Sequence, residues 1–290
     1  MTKTTLAIIG GSGLYALEGL DITGRHTVET PWGAPSDEIV EGELSGVRML
    51  FLPRHGRGHR IPPSEINYRA NIDALKRLGA TDVLSISSCG SFREEMAPGS
   101  FVIVDQYVDR TRGRASSFFG TGLVAHVSMA QPVCPGLSAK ALDAAREAGI
   151  TVFERGTYLA MEGPQFSSLA ESTLYRSWGM DVIGMTGMPE AKLAREAELP
   201  YACVAMITDY DCWHEPSGAV DVASVIAVMQ GNGEKARALL HALVPKMGPE
   251  RTPSPAGIET VLDSAIITPP EHRDPELVAK LDAVAGRVLG

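Results

Sequence analysis

Short apolar, β-branched runs alternate with stretches of helical periodicity along most of this 290-residue chain, and that alternation limits its fold most. Strands separated by helical crossovers assemble into a parallel or mixed sheet with helices on its faces. Strands are predicted at residues 5–9, 48–52, 82–86, 101–105, 158–161, 181–184 and 202–207. Helices are predicted at 65–78 before Gly79, at 137–148 before Gly149, and at 189–198, with Pro189 in the first turn and Pro200 beyond the end. Ser168 and Glu171 form a capping box for another helix. Residues 220–230 and 234–243 read as two helices, broken at Gly231-Asn232-Gly233. The expected fold is α/β, a single-domain mixed β-sheet flanked by helices. Residues 1–247 form its body. The Pro-, Gly- and Ser-rich stretch from 248 opens a C-terminal extension, 248–290, expected to pack on the same domain or on a neighbouring subunit.

Composition narrows the function. Hydrophobic residues make up 44% of the chain, enough for a large buried core. The net charge of −9 disfavours nucleic acid and anionic membranes as partners. No apolar run reaches the roughly 18 residues of a membrane span. The apolar stretch at residues 6–9 is too short for a signal peptide. Cys89, Cys134, Cys203 and Cys212 have no C-x-x-C spacing, so they read as reduced thiols of a cytoplasmic protein.

Three segments suit a small oxyanion. Gly10-Gly11-Ser12-Gly13 leaves the first strand with exposed backbone N–H groups and a hydroxyl. With Ala16 it formally matches the dinucleotide fingerprint, but Gly19 and Gly24 interrupt the helix that fingerprint requires. The second segment is the basic run from Arg54 to Arg60, in which Arg54 offers a planar fork and His55 an imidazole. The third is Ser85-Ile86-Ser87-Ser88-Cys89-Gly90-Ser91, with hydroxyls at a strand end. Each segment also has an ordinary structural reading; together they suggest bound phosphate.

The run Thr208-Asp209-Tyr210-Asp211-Cys212-Trp213 follows an apolar strand. Two carboxylates two residues apart share one side of an extended segment, and burial raises the proton affinity of one of them, which suits a general acid. An Asx turn is the competing reading, and the spacing to His214 and Glu215 matches no metal motif. Phe166 either walls a flat ligand or closes the core. His126 is an isolated loop histidine.

Seven blocks in register from about residue 5 to 245 carry a likeness. They are Ile8-Ile9-Gly10-Gly11-Ser12-Gly13, Arg54-His55-Gly56, Pro63-Ser64-x-x-Asn67-Tyr68, Cys89-Gly90-Ser91, Glu162-Gly163-Pro164-x-Phe166-Ser167-Ser168, Met185-Thr186-x-x-Pro189-Glu190 and the Asp209 run. The set resembles the trimeric purine nucleoside phosphorylase family, on its methylthioadenosine-cleaving branch. The resemblance implies a purine nucleoside phosphorylase-like fold and phosphorolysis of 5′-methylthioadenosine to adenine and 5-methylthioribose 1-phosphate. It implies no metal and no organic cofactor, with inorganic phosphate as co-substrate. Ser12, Arg54, His55, Ser87 and Thr186 would hold phosphate. Phe166, Ser167, Ser88, Cys89 and Gly90 would surround the purine, and Met185 would meet the ribose. Asp209 would face N7 and Asp211 the exocyclic amine; Val222, Val225 and Ile226 would line the methylthio pocket. His126 would reach that pocket from a neighbouring subunit of a homotrimer. Ser12 stands where threonine is common, Gln165 where many relatives have arginine, and Ser88 where alanine is usual. Rival readings are another purine nucleoside, a nucleosidase using water, and a non-catalytic nucleoside sensor.

Overall fold

The computed structural model describes residues 2–11, 13–214 and 222–290. In chain order the first elements are β1 (Thr5–Gly10), β2 (Asp21–His26), β3 (Ile39–Leu44), β4 (Val47–Pro53) and α1 (Tyr68–Arg77). Next come β5 (Asp82–Ser91), β6 (Phe101–Val104), β7 (Gln106–Asp109), α2 (Pro135–Glu147), β8 (Val152–Phe153) and β9 (Thr157–Ala160). The remainder are α3 (Leu169–Ser177), β10 (Val182–Gly184), α4 (Gly187–Glu196), β11 (Tyr201–Asp209), α5 (Val222–Met247), α6 (Pro275–Lys280) and α7 (Asp282–Leu289). All strands join one mixed sheet, as the alternation requires.

Each face of that sheet carries its own apolar layer, because strand side chains alternate. On β1, Leu6 and Ile8 pack with Leu137 and Ala141 of α2 and Leu239 and Leu243 of α5. Ala7 and Ile9 pack on the opposite side with Ile72 and Leu75 of α1, Leu193 of α4 and Val284 of α7. Leu262, Ala265 and Leu281 belong to this second layer, so residues beyond 248 fold back onto their own chain. Arg251 on Asp82 and Arg287 on Glu198 reinforce that seam. No helix among the described residues is long and apolar enough to cross a membrane.

β5 controls the topology. It runs parallel to β11 over most of its length, ending opposite Asp209. Its other edge is shared: β1 pairs with residues 82–85 and β10 with Gly90 and Ser91. Residues 86–89 therefore have no strand neighbour on that edge, and the sheet forks there.

Several elements differ from the sequence expectation, for identifiable reasons. The helix expected from residue 65 starts at Tyr68, because the Asn67 side chain caps it by accepting from Ala70 N. The strand expected at 82–86 continues to Ser91, since β11 and β10 both hold its second half. The glycine loop leads into β2, a polar edge strand whose exposed sequence hid it. The hairpin of β3 and β4 turns through Ser45 and Gly46, both at positive φ (52° and 76°), as a two-residue turn requires. β7 also went unread; Asp105 separates it from β6.

The expected break at Gly231-Asn232-Gly233 is absent, and α5 is continuous from Val222 to Met247. Its buried face, Ala236, Leu239, Leu240 and Leu243, anchors the second half. Asn232 is itself buried and donates from Nδ2 to Ile207 O at 2.9 Å, tying the helix to β11 where a turn was expected. Two helical glycines cost about 1 kcal/mol each, less than this packing supplies. A β-carbon on Gly231 would meet nothing within 4 Å. Gly231→Ala should therefore stabilise the fold by roughly 0.5–1 kcal/mol in chemical denaturation. A loss of stability would contradict the unbroken helix.

Candidate active site

The fork in β5 opens into a cavity of about 650 Å³. Its walls come from the glycine loop, the turn after β4, the free stretch of β5, the start of α4, the end of β11 and one face of α5. The oxyanion candidates converge there. Gly10, Gly11 and Gly13 line the cavity; Ser12 lies outside the described residues. Ser87 Oγ is 3.5 Å from Thr186 Oγ1 and 3.4 Å from the Tyr158 hydroxyl, and both Ser87 and Thr186 are buried. Two adjacent hydroxyls free to rotate make a donor pair for an anion.

Arg54 faces the same cavity but is not a free cation. Only 3% exposed, it donates from Nε to Glu190 Oε2 at 2.8 Å and from Nη2 to Glu190 Oε1 at 3.1 Å. Nη2 also reaches Ser85 Oγ at 2.6 Å and Nη1 reaches Ile86 O at 3.1 Å. Burial alone would lower the guanidinium pKa; the Glu190 carboxylate outweighs it and the net direction is up. The fork expected to close on an anion thus closes on a buried carboxylate, leaving one Nη1 hydrogen for the cavity.

His55 Nδ1 lies 2.9 Å from Ile61 O, and its ring stacks on His59 with centroids 4.1 Å apart. A carbonyl only accepts, so Nδ1 carries the proton and a neutral ring keeps its lone pair on Nε2. Burial, with a smaller effect from Arg54, lowers its pKa from 6.5 to about 4.

The acidic pair combines both of its sequence readings. β11 stops at Asp209, and Asp211 takes a left-handed backbone (φ 52°). Asp211 N donates to Asp209 Oδ1 at 2.8 Å, an Asx-type turn, so the two carboxylates do not sit as alternate residues of a strand. Both still line the cavity. Thr208 Oγ1 lies 2.7 Å from Asp209 Oδ2 and 3.2 Å from Cys89 O. Gly90 leaves room beside them: a β-carbon there would lie 2.7 Å from Asp209 Oδ1 and displace the carboxylate. Asp211 has the raised pKa, first through burial and then through the charge of Asp209, with the Ser172 and Ser167 hydroxyls offsetting part of it. Its Oδ2 is buried without a hydrogen bond of good geometry among the described residues.

Around these groups, Ser88, Cys89, Gly90 and Met185 line the cavity. Phe166 does too and is 44% exposed, so it does not close the core. Ser167 is turned away: its hydroxyl contacts Met161 Sδ at 3.8 Å and it does not line the cavity. Of the three α5 residues expected at the pocket, only Val225 lines it. Val222 and Ile226 point outward, 62% and 51% exposed, and Met229, one turn beyond Val225, takes their place. His126 is exposed and outside its own chain's cavity; its N–H donates to Ala265 O at 2.9 Å.

The comparisons with known proteins fit this cavity. A family model described as the phosphorylase superfamily matches residues 5–245. The chain belongs to the phosphorylase superfamily. It is 62% identical over 287 residues to S-methyl-5′-thioadenosine phosphorylase of Cereibacter sphaeroides, covering 99% of both chains. It is 57% identical to the enzyme of the same name from Bradyrhizobium diazoefficiens, covering 100% of this chain and 99% of that one. A crystal structure of a methylthioadenosine phosphorylase from an antarctic soil metagenomic library superposes with a TM-score of 0.91 at 45% identity, over 98% and 99% of the two chains. The Schistosoma mansoni methylthioadenosine phosphorylase in complex with adenine gives 0.85 at 37% identity, over 91% and 99%.

Sequence reasoning missed several residues of this phosphorylase's cavity. Met229 was within reach, since it repeats the helical spacing of Val225. Met206 lies opposite Ser88 in the β-ladder, where tertiary pairing places it and no local motif marks it, whereas His59, which rests on His55, belongs to the basic run read from the sequence. Histidine nitrogen NMR provides a check on the site. His55 should remain the neutral Nδ1–H tautomer from pH 8 to 5 and titrate near 4. Because the unfolded ring titrates near 6.5, its burial should also cost stability as pH falls from about 6.5 toward 4. A folded-state midpoint near 6.5 would contradict the buried geometry.

Proposed function

We propose that this phosphorylase cleaves 5′-methylthioadenosine with inorganic phosphate, releasing adenine and 5-methylthioribose 1-phosphate. One observation carries the assignment. The cavity holds hydroxyl and guanidinium donors beside the fork, with the His55 imidazole next to them, and further along β5 two aspartates. Phosphate would take donors from Ser87, Thr186, the free Nη1 hydrogen of Arg54, Ser12 and the glycine-loop amides, with His55 beside it. The purine would lie against Phe166, Ser88, Cys89 and Gly90, with Met185 at the ribose and Val225 with Met229 at the methylthio end.

Cleavage of the glycosidic bond leaves cationic character on the sugar and negative charge on the purine. Bound phosphate stabilises the first and then attacks C1′, so no enzyme nucleophile and no metal or organic cofactor is required. Asp209 supplies the proton to N7. Thr208 supports that role in either protonation state. Its hydroxyl can donate to ionised Asp209, or accept from protonated Asp209 while donating to Cys89 O. Asp211, which lines the cavity beside Asp209, would accept from the exocyclic amine of adenine, a donor that a 6-oxopurine lacks at that position.

The same proposal includes a cytoplasmic homotrimer with shared active sites, acting in purine and methionine salvage. Two surface segments support the shared site. Ala125 and Ile266 bridge in antiparallel fashion, setting exposed His126 opposite Ala265 and Val124 opposite Ile267, which is 62% exposed and apolar, on the same short ladder. A histidine and an aliphatic side chain presented together outside their own cavity suit a neighbour's methylthio pocket.

Release of the purine base, adenine from methylthioadenosine and adenosine and hypoxanthine from methylthioinosine, should be measured with and without phosphate. Strictly phosphate-dependent release, fastest on methylthioadenosine, is expected. Release without phosphate would make the chain a nucleosidase, and preference for methylthioinosine would overturn the amine assignment of Asp211. Asp209→Ala should lower kcat by roughly 10²-fold or more, the lower range of general-acid contributions. Near-native turnover would remove Asp209 from the acid role.

A further inference from the structure

We propose that Glu190 is the positioning residue of the phosphate subsite, fixing the plane of Arg54 so that one guanidinium hydrogen is aimed at the anion. The inference rests on the phosphate-dependent reaction proposed above and goes beyond it, because Glu190 itself has no access to substrate. Its side chain is 1% exposed and lies behind Arg54 as seen from the cavity.

A guanidinium has five N–H donors in one plane, and an arginine on a mobile loop can present any of them. Here Nε and Nη2 are taken by the two Glu190 oxygens at 2.8 and 3.1 Å, a bidentate lock that removes rotation about the end of the side chain. Ser85 Oγ and Ile9 O hold the other face of Nη2, at 2.6 and 3.2 Å, and Ile86 O takes one Nη1 hydrogen at 3.1 Å. Glu190 is fixed in turn by the Tyr201 hydroxyl, which donates to Oε1 at 2.9 Å. Tyr201 is the first residue of β11, the strand that ends in Asp209.

The placement of Glu190 in the chain adds a second constraint. It lies four residues beyond Thr186, which immediately precedes α4, with the extended backbone of Met188 (φ −122°, ψ 137°) kinking the chain between them. This one short kinked segment presents Thr186 to the cavity and Glu190 to the back of Arg54. The carboxylate also cancels the arginine's charge, so the anion is held by directed hydrogen bonds more than by an uncompensated cation. That suits a subsite which must bind phosphate and later release a sugar phosphate.

The test measures KM for phosphate and for nucleoside separately in wild type, Glu190→Gln and Tyr201→Phe, with the melting temperature of each protein with and without phosphate. An amide can accept from Arg54 through one atom only, so Glu190→Gln should raise KM for phosphate by roughly tenfold or more, the worth of one charged hydrogen bond. KM for nucleoside should change less than about twofold, and the thermal stabilisation given by phosphate should shrink. Tyr201→Phe keeps both charges and removes only the support of Oε1; a smaller rise in phosphate KM, with nucleoside KM unchanged, is expected. The second variant keeps the test decisive if loss of a buried charge prevents Glu190→Gln from folding. Unchanged phosphate KM in the folded variants would overturn the proposal, as would equal rises in both KM values with a fall in melting temperature, the mark of a merely structural role. A wild-type protein that releases adenine without phosphate would overturn the phosphate reading and this proposal together, an outcome visible in the control alone.

Discussion

The rest of the site depends on the way one strand is shared. β5 is paired along one edge by β11 and along the other by β1 first and β10 afterwards, leaving residues 86–89 unpaired between them. Ligands of open α/β sheets gather where the strand order changes and the edges diverge. Here the divergence exposes the Ser87 and Ser88 hydroxyls and the Ile86 carbonyl to one space. The β5/β11 ladder then brings Asp209 to Gly90, and the missing side chain at Gly90 makes room for the carboxylate.

Charge is distributed to match. In an acidic chain, the arginine nearest the fork is already neutralised by Glu190, and His55 is pushed toward the neutral form by burial. The cavity thus relies on oriented hydroxyls, amides and one guanidinium hydrogen. On the purine side the carboxylate pair is asymmetric: Asp209 is tied by Thr208 and by the Asp211 amide, whereas Asp211 keeps a buried oxygen in reserve. Two like residues are given different tasks by their surroundings.

Much of this was legible in the sequence. The capping box at Ser168 and Glu171 is formed as read, because both partners of a local motif lie within one turn. The central strands were recognisable because buried β-branched runs leave a strong signal. The polar edge strand β2 left almost none, and α5 was misread because the penalty for glycine is local while the packing of Leu239 and Leu243 that overrides it is tertiary. The site followed the same rule. Arg54, Ser87 and Asp209 were singled out by their own segments and Thr186 by the family resemblance, but the partner that occupies the fork of Arg54 stands 136 positions away. Nothing at Arg54 itself marks the carboxylate that will face it. The family resemblance placed Val222 and Ile226 at the methylthio pocket, but the rotation of α5, set by its contacts with the sheet, leaves both exposed in this chain.

The central claim is that a phosphate oxygen, held beside the fork of β5, is the atom that attacks C1′. It can be tested directly with phosphate labelled uniformly with ¹⁸O and mass analysis of the sugar product. The account predicts a pentose 1-phosphate retaining every labelled oxygen, including the one that bridges to carbon. A free methylthiopentose carrying solvent oxygen at C1, or a sugar phosphate that has lost the bridging label, would contradict it.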